Sequence, residues 1–193
     1  MSRTKEFDPD VALDRALQLF WERGYESTSM ADLTEHLGIA RASIYATFGS
    51  KHELFTKALQ RYLEAADAQI TADLSRPGPA LPAIRALVDR FTDEACAPDR
   101  FMGCMVSNAA VELAARDATV GRLVESSWAR METALAAALT RARAQDELAP
   151  DAEPRAIARF LLVFIQGLRV LERVPGTGTR LRDASRVTST ILR

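Results

Sequence analysis

The chain has two cysteines, two histidines and, beyond Lys57, no lysine at all in its 193 residues. Cys96 and Cys104 are too few for a disulfide framework and fit no zinc spacing. With only His36 and His52 available, no nucleophile–base pair or metal cluster can be assembled, which counts against an all-α enzyme as an alternative. No cofactor is expected. No apolar run approaches the roughly 18 residues of a membrane span. The longest, Phe160 to Ile165, stops at Gln166, so no membrane partner is expected. The first ten residues lack the apolar core of a secretory signal. The expectation is a soluble, cytoplasmic protein. Neither sign of charge dominates: 26 acidic and 25 basic side chains leave a net charge of −1. That balance excludes a polybasic protein whose whole surface attracts nucleic acid.

Proline is absent between Pro9 and Pro77, and the glycines of that stretch are Gly24, Gly38 and Gly49. Such spacing leaves helix-length segments, each closed by a residue that tolerates a left-handed conformation. Alternating β-branched runs are missing, while Ala, Leu, Arg and Glu abound, so the fold class is all-α. Asp8 and Pro9 predict a helix start, with an apolar face of Leu13, Leu17 and Phe20. Ser29 with Asp32, and Ser50 with Glu53, read as capping boxes opening two further helices. Between them lie short segments to Leu37 and from Arg41 to Thr47. They are too short to persist alone and must be clamped by their neighbours. Leu33, Leu37, Ile39 and Ile44 are spaced to meet in one small core, with Gly38 as the turn. This is the anatomy of a helix-turn-helix, whose second helix enters the major groove.

The stretch GYESTSMADLTEHLGIARASIYATFGSKHELFTKAL resembles the DNA-binding domain of the TetR family of transcriptional regulators. The resemblance is carried by Gly24-Tyr25, Thr28-Ser29, Leu33, Leu37-Gly38-Ile39, Ile44-Tyr45, Phe48, Lys51 and Glu53-Leu54. Two positions depart from the family pattern: Ala40 where Ser is common, which removes a helix cap, and Thr34 where Ala is usual. Double-stranded DNA is the implied partner. Arg41 is the candidate for reading a guanine edge, with a phosphate contact as its other reading. Ala42 and Ala46 flank it on the groove face; Ser43, Tyr45 and Thr47 match backbone-contacting positions, and Tyr45 also suits core packing. Thr28 and Ser29 are read as phosphate contacts or as caps. Lys51 lies against the favourable sign of the helix dipole, which points to a phosphate partner.

The expected division is a DNA-binding domain at 1–62 and a ligand-binding and dimerisation domain at 63–193. The resemblance implies a sequence-specific regulator, a repressor of a palindromic operator acting as a homodimer, with an unknown small-molecule effector. A helical adaptor without DNA binding is the other alternative. Residues 154–173 and 179–192 would form the intersubunit bundle, with Phe160, Phe164, Leu168, Leu181, Ala184, Val187 and Ile191 at the interface or within the monomer. Phe91, Phe101, Met102, Met105, Asn108, Glu112, Trp128, Met131, Phe164 and Gln166 are candidates for the effector cavity or for plain core. Cys104, at a helix start, reads as a thiol sensor or as a buried core residue.

Overall fold

The computed structural model describes residues 7–97 and 102–192. Among these there are nine helices and no strand. Helix α1 (Pro9–Arg23) starts where Asp8 accepts a hydrogen bond from the Asp10 amide at 2.8 Å, with Pro9 in its first turn. It buries Ala12, Ala16, Leu19 and Phe20. Leu13 and Leu17, expected on the apolar face with Phe20, are only partly buried and lie with Trp21 on a second side of the helix. Helix α2 (Met30–Leu37) opens on the Ser29/Asp32 capping box and closes at Gly38, whose φ of 68° is left-handed. Helix α3 (Arg41–Phe48) starts without a side-chain cap, as Ala40 dictates.

Two eight-residue helices need outside support. Arg15 of α1 supplies part of it, its guanidinium donating to the carbonyls of Leu37 (2.9 Å) and His36 at the end of α2. Leu33, Leu37, Ile39 and Ile44 meet as expected, joined by Phe48. Thr34 turns its hydroxyl back on the Met30 carbonyl.

Helix α4 (Lys51–Leu74) opens on the second capping box, Ser50 with Glu53. At 24 residues it is about 36 Å long, and the boundary expected at residue 62 falls inside it. Its first half buries Leu54, Phe55, Ala58, Leu59 and Leu63 against α1, α2 and α3. Its second half gives Ile70 and Leu74 to a separate core. That core is built with α5 (Ala80–Cys96), most of α7 (Ala118–Ala144), α8 (Pro154–Leu171) and α9 (Gly178–Ile191). Helix α6 (Met105–Glu112) and the start of α7 join the first core instead, through Met105, Val106, Ala109, Val120 and Val124. The helix-turn-helix is thus packed against a piece of the larger bundle.

Helices α8 and α9 were expected to offer Leu168 and Leu181 to a second subunit. Both are buried within this chain, because α8 is apolar on two sides and Leu168 faces the α5–α7 core. Its other side leaves Phe160, Val163, Val170 and Leu171 exposed, and α9 adds Ala184, Val187 and Ile191.

Hydrogen bonds to Ser29 hold the Asp32 carboxyl below the ordinary carboxylate range, and the Ser50 amide does the same for Glu53. Carboxyls lowered in the folded state stabilise it above their unfolded values. They lose that contribution as pH falls through the folded ones. The variant Asp32→Asn/Glu53→Gln is therefore expected to melt lower than wild type at neutral pH. Its melting temperature should also fall less steeply between about pH 5 and pH 3, as followed by circular dichroism.

Candidate functional site

Helix α3 presents one continuous exposed face made of Arg41, Ala42, Tyr45 and Ala46, and none of its residues is acidic. The Arg41 guanidinium lies 5.5 Å from the Tyr45 ring centroid and donates to the Tyr45 hydroxyl at 3.3 Å. A planar cation is thereby held at the first turn of the helix, flanked by two methyl-sized side chains that let a surface approach closely. Ser43 and Thr47 are half-buried at the edges of this face.

The segment leading into α2 is fixed from both sides. The Glu112 carboxylate, at the end of α6, accepts hydrogen bonds from the amides of Tyr25 (3.0 Å) and Glu26 (2.7 Å). Gly24 makes this approach possible: it has φ of 84°, and a Cβ there would stand 3.1 Å from a Glu112 oxygen. From the other side the Lys51 ammonium donates to the carbonyls of Tyr25 (2.8 Å) and Thr28 (2.7 Å), 4.0 Å from the Tyr25 ring centroid. Further ties join the same neighbours. His52 pairs with Asp117 at the start of α7, Arg116 pairs with Glu26 at 2.9 Å, and the Trp21 indole donates to the Gly103 carbonyl at 2.8 Å. The Val120 amide foremost, with His52 adding, holds the Asp117 carboxyl below the usual range against the opposing effect of burial.

Beside this junction lies a cavity of about 490 Å³. Its wall is shared between the two cores: Leu17 and Trp21 from α1, Tyr62 from α4, Phe91 and Glu94 from α5, Trp128 and Met131 from α7, Gln166 and Arg169 from α8. Arg169 stacks over Phe91 at 4.8 Å and pairs with Glu94 (2.6 Å) and Glu172 (3.3 Å). Burial pushes the Glu94 carboxyl up, but hydrogen bonds from Arg169 and Arg90 outweigh it and leave it below the ordinary range. Cys104 is half-buried in the same wall and accepts a hydrogen bond from the Tyr62 hydroxyl at 3.5 Å. Burial first, and the Cys104 sulfur second, push the Tyr62 hydroxyl well up.

A family model described as "Bacterial regulatory proteins, tetR family" matches residues 12–58, and one described as "Tetracyclin repressor-like, C-terminal domain" matches residues 80–188. The chain is also 37% identical over 193 residues to YezE of Bacillus subtilis (strain 168), covering 100% of both; that relative is named an uncharacterized HTH-type transcriptional regulator. The chain belongs to the TetR family. It is 33% identical to the HTH-type transcriptional repressor ComR of Escherichia coli (strain K12), over 99% of this chain and 90% of that one. Among solved structures it resembles the TetR-family regulator CifR, a cysteine mutant complexed with 26-bp double-strand operator DNA. The TM-score is 0.82 at 30% identity, over 99% of this chain and 98% of that one. The helix-turn-helix is accordingly the DNA-binding module of a transcriptional regulator, and dimerisation is typical of the family.

Several residues expected at the DNA or in the TetR-family effector cavity stand elsewhere. Thr28 is fully buried and its hydroxyl donates to the Gly24 carbonyl at 2.7 Å, so it closes a turn and does not face phosphate. Ser29 is exposed, with its hydroxyl engaged in the capping box. Lys51 has two of its three donors committed to carbonyls, which answers the unfavourable dipole without DNA.

Phe91, Met102, Trp128, Met131 and Gln166 do line the cavity. Glu112 does not: it holds the Tyr25 turn. Asn108 is structural as well, donating to the Met102 carbonyl and accepting from Arg173. Met105 is buried in the first core, Phe164 stacks on Phe160 at 6.3 Å, and Phe101 lies outside the described residues. Sequence reasoning missed Trp21, Tyr62, Glu94 and Arg169. The pairing of Arg169 with Glu172, three residues apart at the end of an apolar helix, was the available signal.

Removing the Glu112 carboxylate leaves two amides without their acceptor, and a charge-assisted bond of this kind contributes about 1.5–3 kcal/mol. Glu112→Ala is expected to lower stability to denaturant by an amount of that order and to speed hydrogen exchange at the Tyr25 and Glu26 amides. Unchanged exchange at those two positions would refute the tie.

Proposed function

We propose that this TetR-family chain is a cytoplasmic homodimeric repressor of a palindromic operator, released or retained by a small molecule held in the cavity between the two cores. The observation that carries the reading is the composition of that cavity's wall. Trp21 and Tyr62 belong to α1 and α4, the helices that clamp the helix-turn-helix, while Phe91, Met131 and Arg169 belong to the bundle. A molecule that fits one arrangement of this wall better than another shifts the population of DNA-binding poses by its difference in affinity. Cys104 belongs to the same wall, so a reactive effector would meet its thiol there.

The exposed face of α3 supports insertion into the major groove, with Arg41 reading a guanine edge and Ala42 and Ala46 allowing close approach. Ser43, Tyr45 and Thr47 would position the helix against phosphates, joined by the exposed Ser29 and the third donor of Lys51. A single helix-turn-helix recognises only a half-site, and two-fold pairing doubles the footprint. The strip of Phe160, Val163 and Leu171 on α8 with Ala184, Val187 and Ile191 on α9 is the surface that fits a second copy, covering apolar side chains that otherwise face water.

The chain is expected to shift DNA from its own upstream region, with log affinity falling as log salt rises. Arg41→Ala should weaken the specific complex by about 1–3 kcal/mol and relax preference at one base pair. No salt-sensitive binding to any fragment of a selected DNA pool would end this reading. Val163→Glu places a charge in the apolar strip. In sedimentation it should convert the dimer to monomer, and operator affinity should fall with it; a dimer of unchanged strength would move the interface elsewhere.

A further inference from the structure

Reading a base edge needs a cation that is not already engaged, and the DNA-binding domain offers little choice. From residue 7 to residue 62 its arginines and lysines are Arg15, Arg23, Arg41, Lys51, Lys57 and Arg61. Arg15 donates to the carbonyls that end α2, Arg23 pairs with Asp32 at 3.0 Å, and Arg61 pairs with Asp10 (2.8 Å) and Asp14 (2.6 Å). Lys51 holds the carbonyls of Tyr25 and Thr28, and Lys57 that of Phe48 at 3.0 Å. Each of these five is held by a carboxylate or a peptide oxygen, with which DNA would have to compete. Arg41 differs. Its hydrogen bond goes to a neutral hydroxyl, that of Tyr45 one turn further along α3, and α3 carries no other charge.

Arg41 is the first residue of α3, where the helix dipole disfavours a cation. Residues four apart share one side of a helix, and long side chains lean toward its N-terminus, so Tyr45 leans back toward Arg41. The guanidinium carbon lies 5.5 Å from the ring centroid, within the roughly 6 Å at which the negative face of an aromatic ring attracts a cation. The hydroxyl meets one terminal nitrogen at 3.3 Å. A guanidinium has several N–H donors in a rigid fork, and one bond to Tyr45 leaves enough for the paired contact with guanine O6 and N7. The hydroxyl accepts from Arg41, so its own proton stays free for a phosphate oxygen. A long side chain normally loses its rotamer freedom on binding. Here part of that freedom is already given up in the free protein, which favours one attitude of the fork over the others.

We infer that Tyr45 is a positioning residue for base reading: its ring and hydroxyl hold the Arg41 guanidinium on the exposed face of α3, so that preference at one base pair of the operator depends on Tyr45 as well as on Arg41. The inference rests on the reading of Arg41 as the base contact. It gives Tyr45 a part in specificity, beyond any contact of its own with phosphate, which carries no sequence information.

The test uses the full chain and a DNA fragment selected from a random-sequence pool, with copies of that fragment each changed at one base pair of both half-sites. Affinities are read by fluorescence anisotropy, and discrimination is the ratio of affinities for the selected and the changed fragment. Arg41→Ala is expected to lower discrimination at one base pair by about five- to 150-fold. At that base pair Tyr45→Phe, which keeps the ring, should lower it about threefold, and Tyr45→Ala further toward the Arg41→Ala value. In the Arg41→Ala background neither change at Tyr45 should lower it again. A Tyr45 that touches only phosphate would weaken every fragment by one common factor. Unchanged discrimination in Tyr45→Phe and Tyr45→Ala would therefore overturn the inference, as would a further loss in the double variants. Arg41→Ala that relaxes no base pair would overturn the base contact itself and the positioning with it, so the two failures are told apart. Should Tyr45→Ala not fold, as judged by circular dichroism, Tyr45→Phe alone decides the matter.

Discussion

A carboxylate and an ammonium grip opposite faces of the same few peptide groups, and the orientation of the DNA-binding helices depends on that grip. Glu112 takes the amides of Tyr25 and Glu26; Lys51 takes the carbonyls of Tyr25 and Thr28. Peptide units carry donor and acceptor on opposite sides, so two opposite charges can clamp one strand of chain without competing. Helices α2 and α3 are each eight residues long and cannot hold a direction of their own. The segment that feeds them is anchored at one end to α6 and at the other to α4. Gly24, by lacking a Cβ in front of Glu112, is the residue that lets the carboxylate close on the chain.

The cavity lies beside this clamp, and α1 explains why. One side of α1 buries Ala12, Ala16, Leu19 and Phe20 in the helix-turn-helix core, while Leu17 and Trp21 turn toward the bundle. The Trp21 indole is bonded to Gly103, next to Cys104 in the cavity wall and two residues before α6. The loop before α6 thus meets the DNA-binding core through Trp21, and the end of α6 meets it through Glu112. Both fastenings are single hydrogen-bonded groups added to the apolar packing of Met105, Val106 and Ala109 in the same core.

Local signals in the sequence were legible because their causes are local. Asp8 with Pro9, the two capping boxes, the uncapped Ala40 and the left-handed Gly38 mark where the first four helices begin and where α2 ends. Long-range partners were not legible, because helical period tells which side of a helix is apolar and not what it meets. Glu112 and Asn108 were conspicuous as polar residues among apolar ones, and both have partners within the chain: two backbone amides for Glu112, the Met102 carbonyl and the Arg173 guanidinium for Asn108. Lys51 stood out for the same reason: its placement against the dipole demanded acceptors, and they turned out to be two carbonyls of the chain itself. Leu168 and Leu181 show the converse limit. A helix apolar on two sides does not say which side stays inside, and only the packing of α5 and α7 against α8 decides it.

Sharing one wall between the proposed effector site and the DNA-binding core restricts how this protein can change. Leu17, Trp21 and Tyr62 pack against the first core as well as facing the cavity, so substitutions there alter effector preference and the stability of the helix-turn-helix together. Phe91 and Met131 belong to the bundle and carry no such double duty. New effector preferences are therefore free to drift on the α5, α7 and α8 side, while the α1 and α4 side is constrained to change slowly. The cavity has one adaptable wall and one that the operator holds in place.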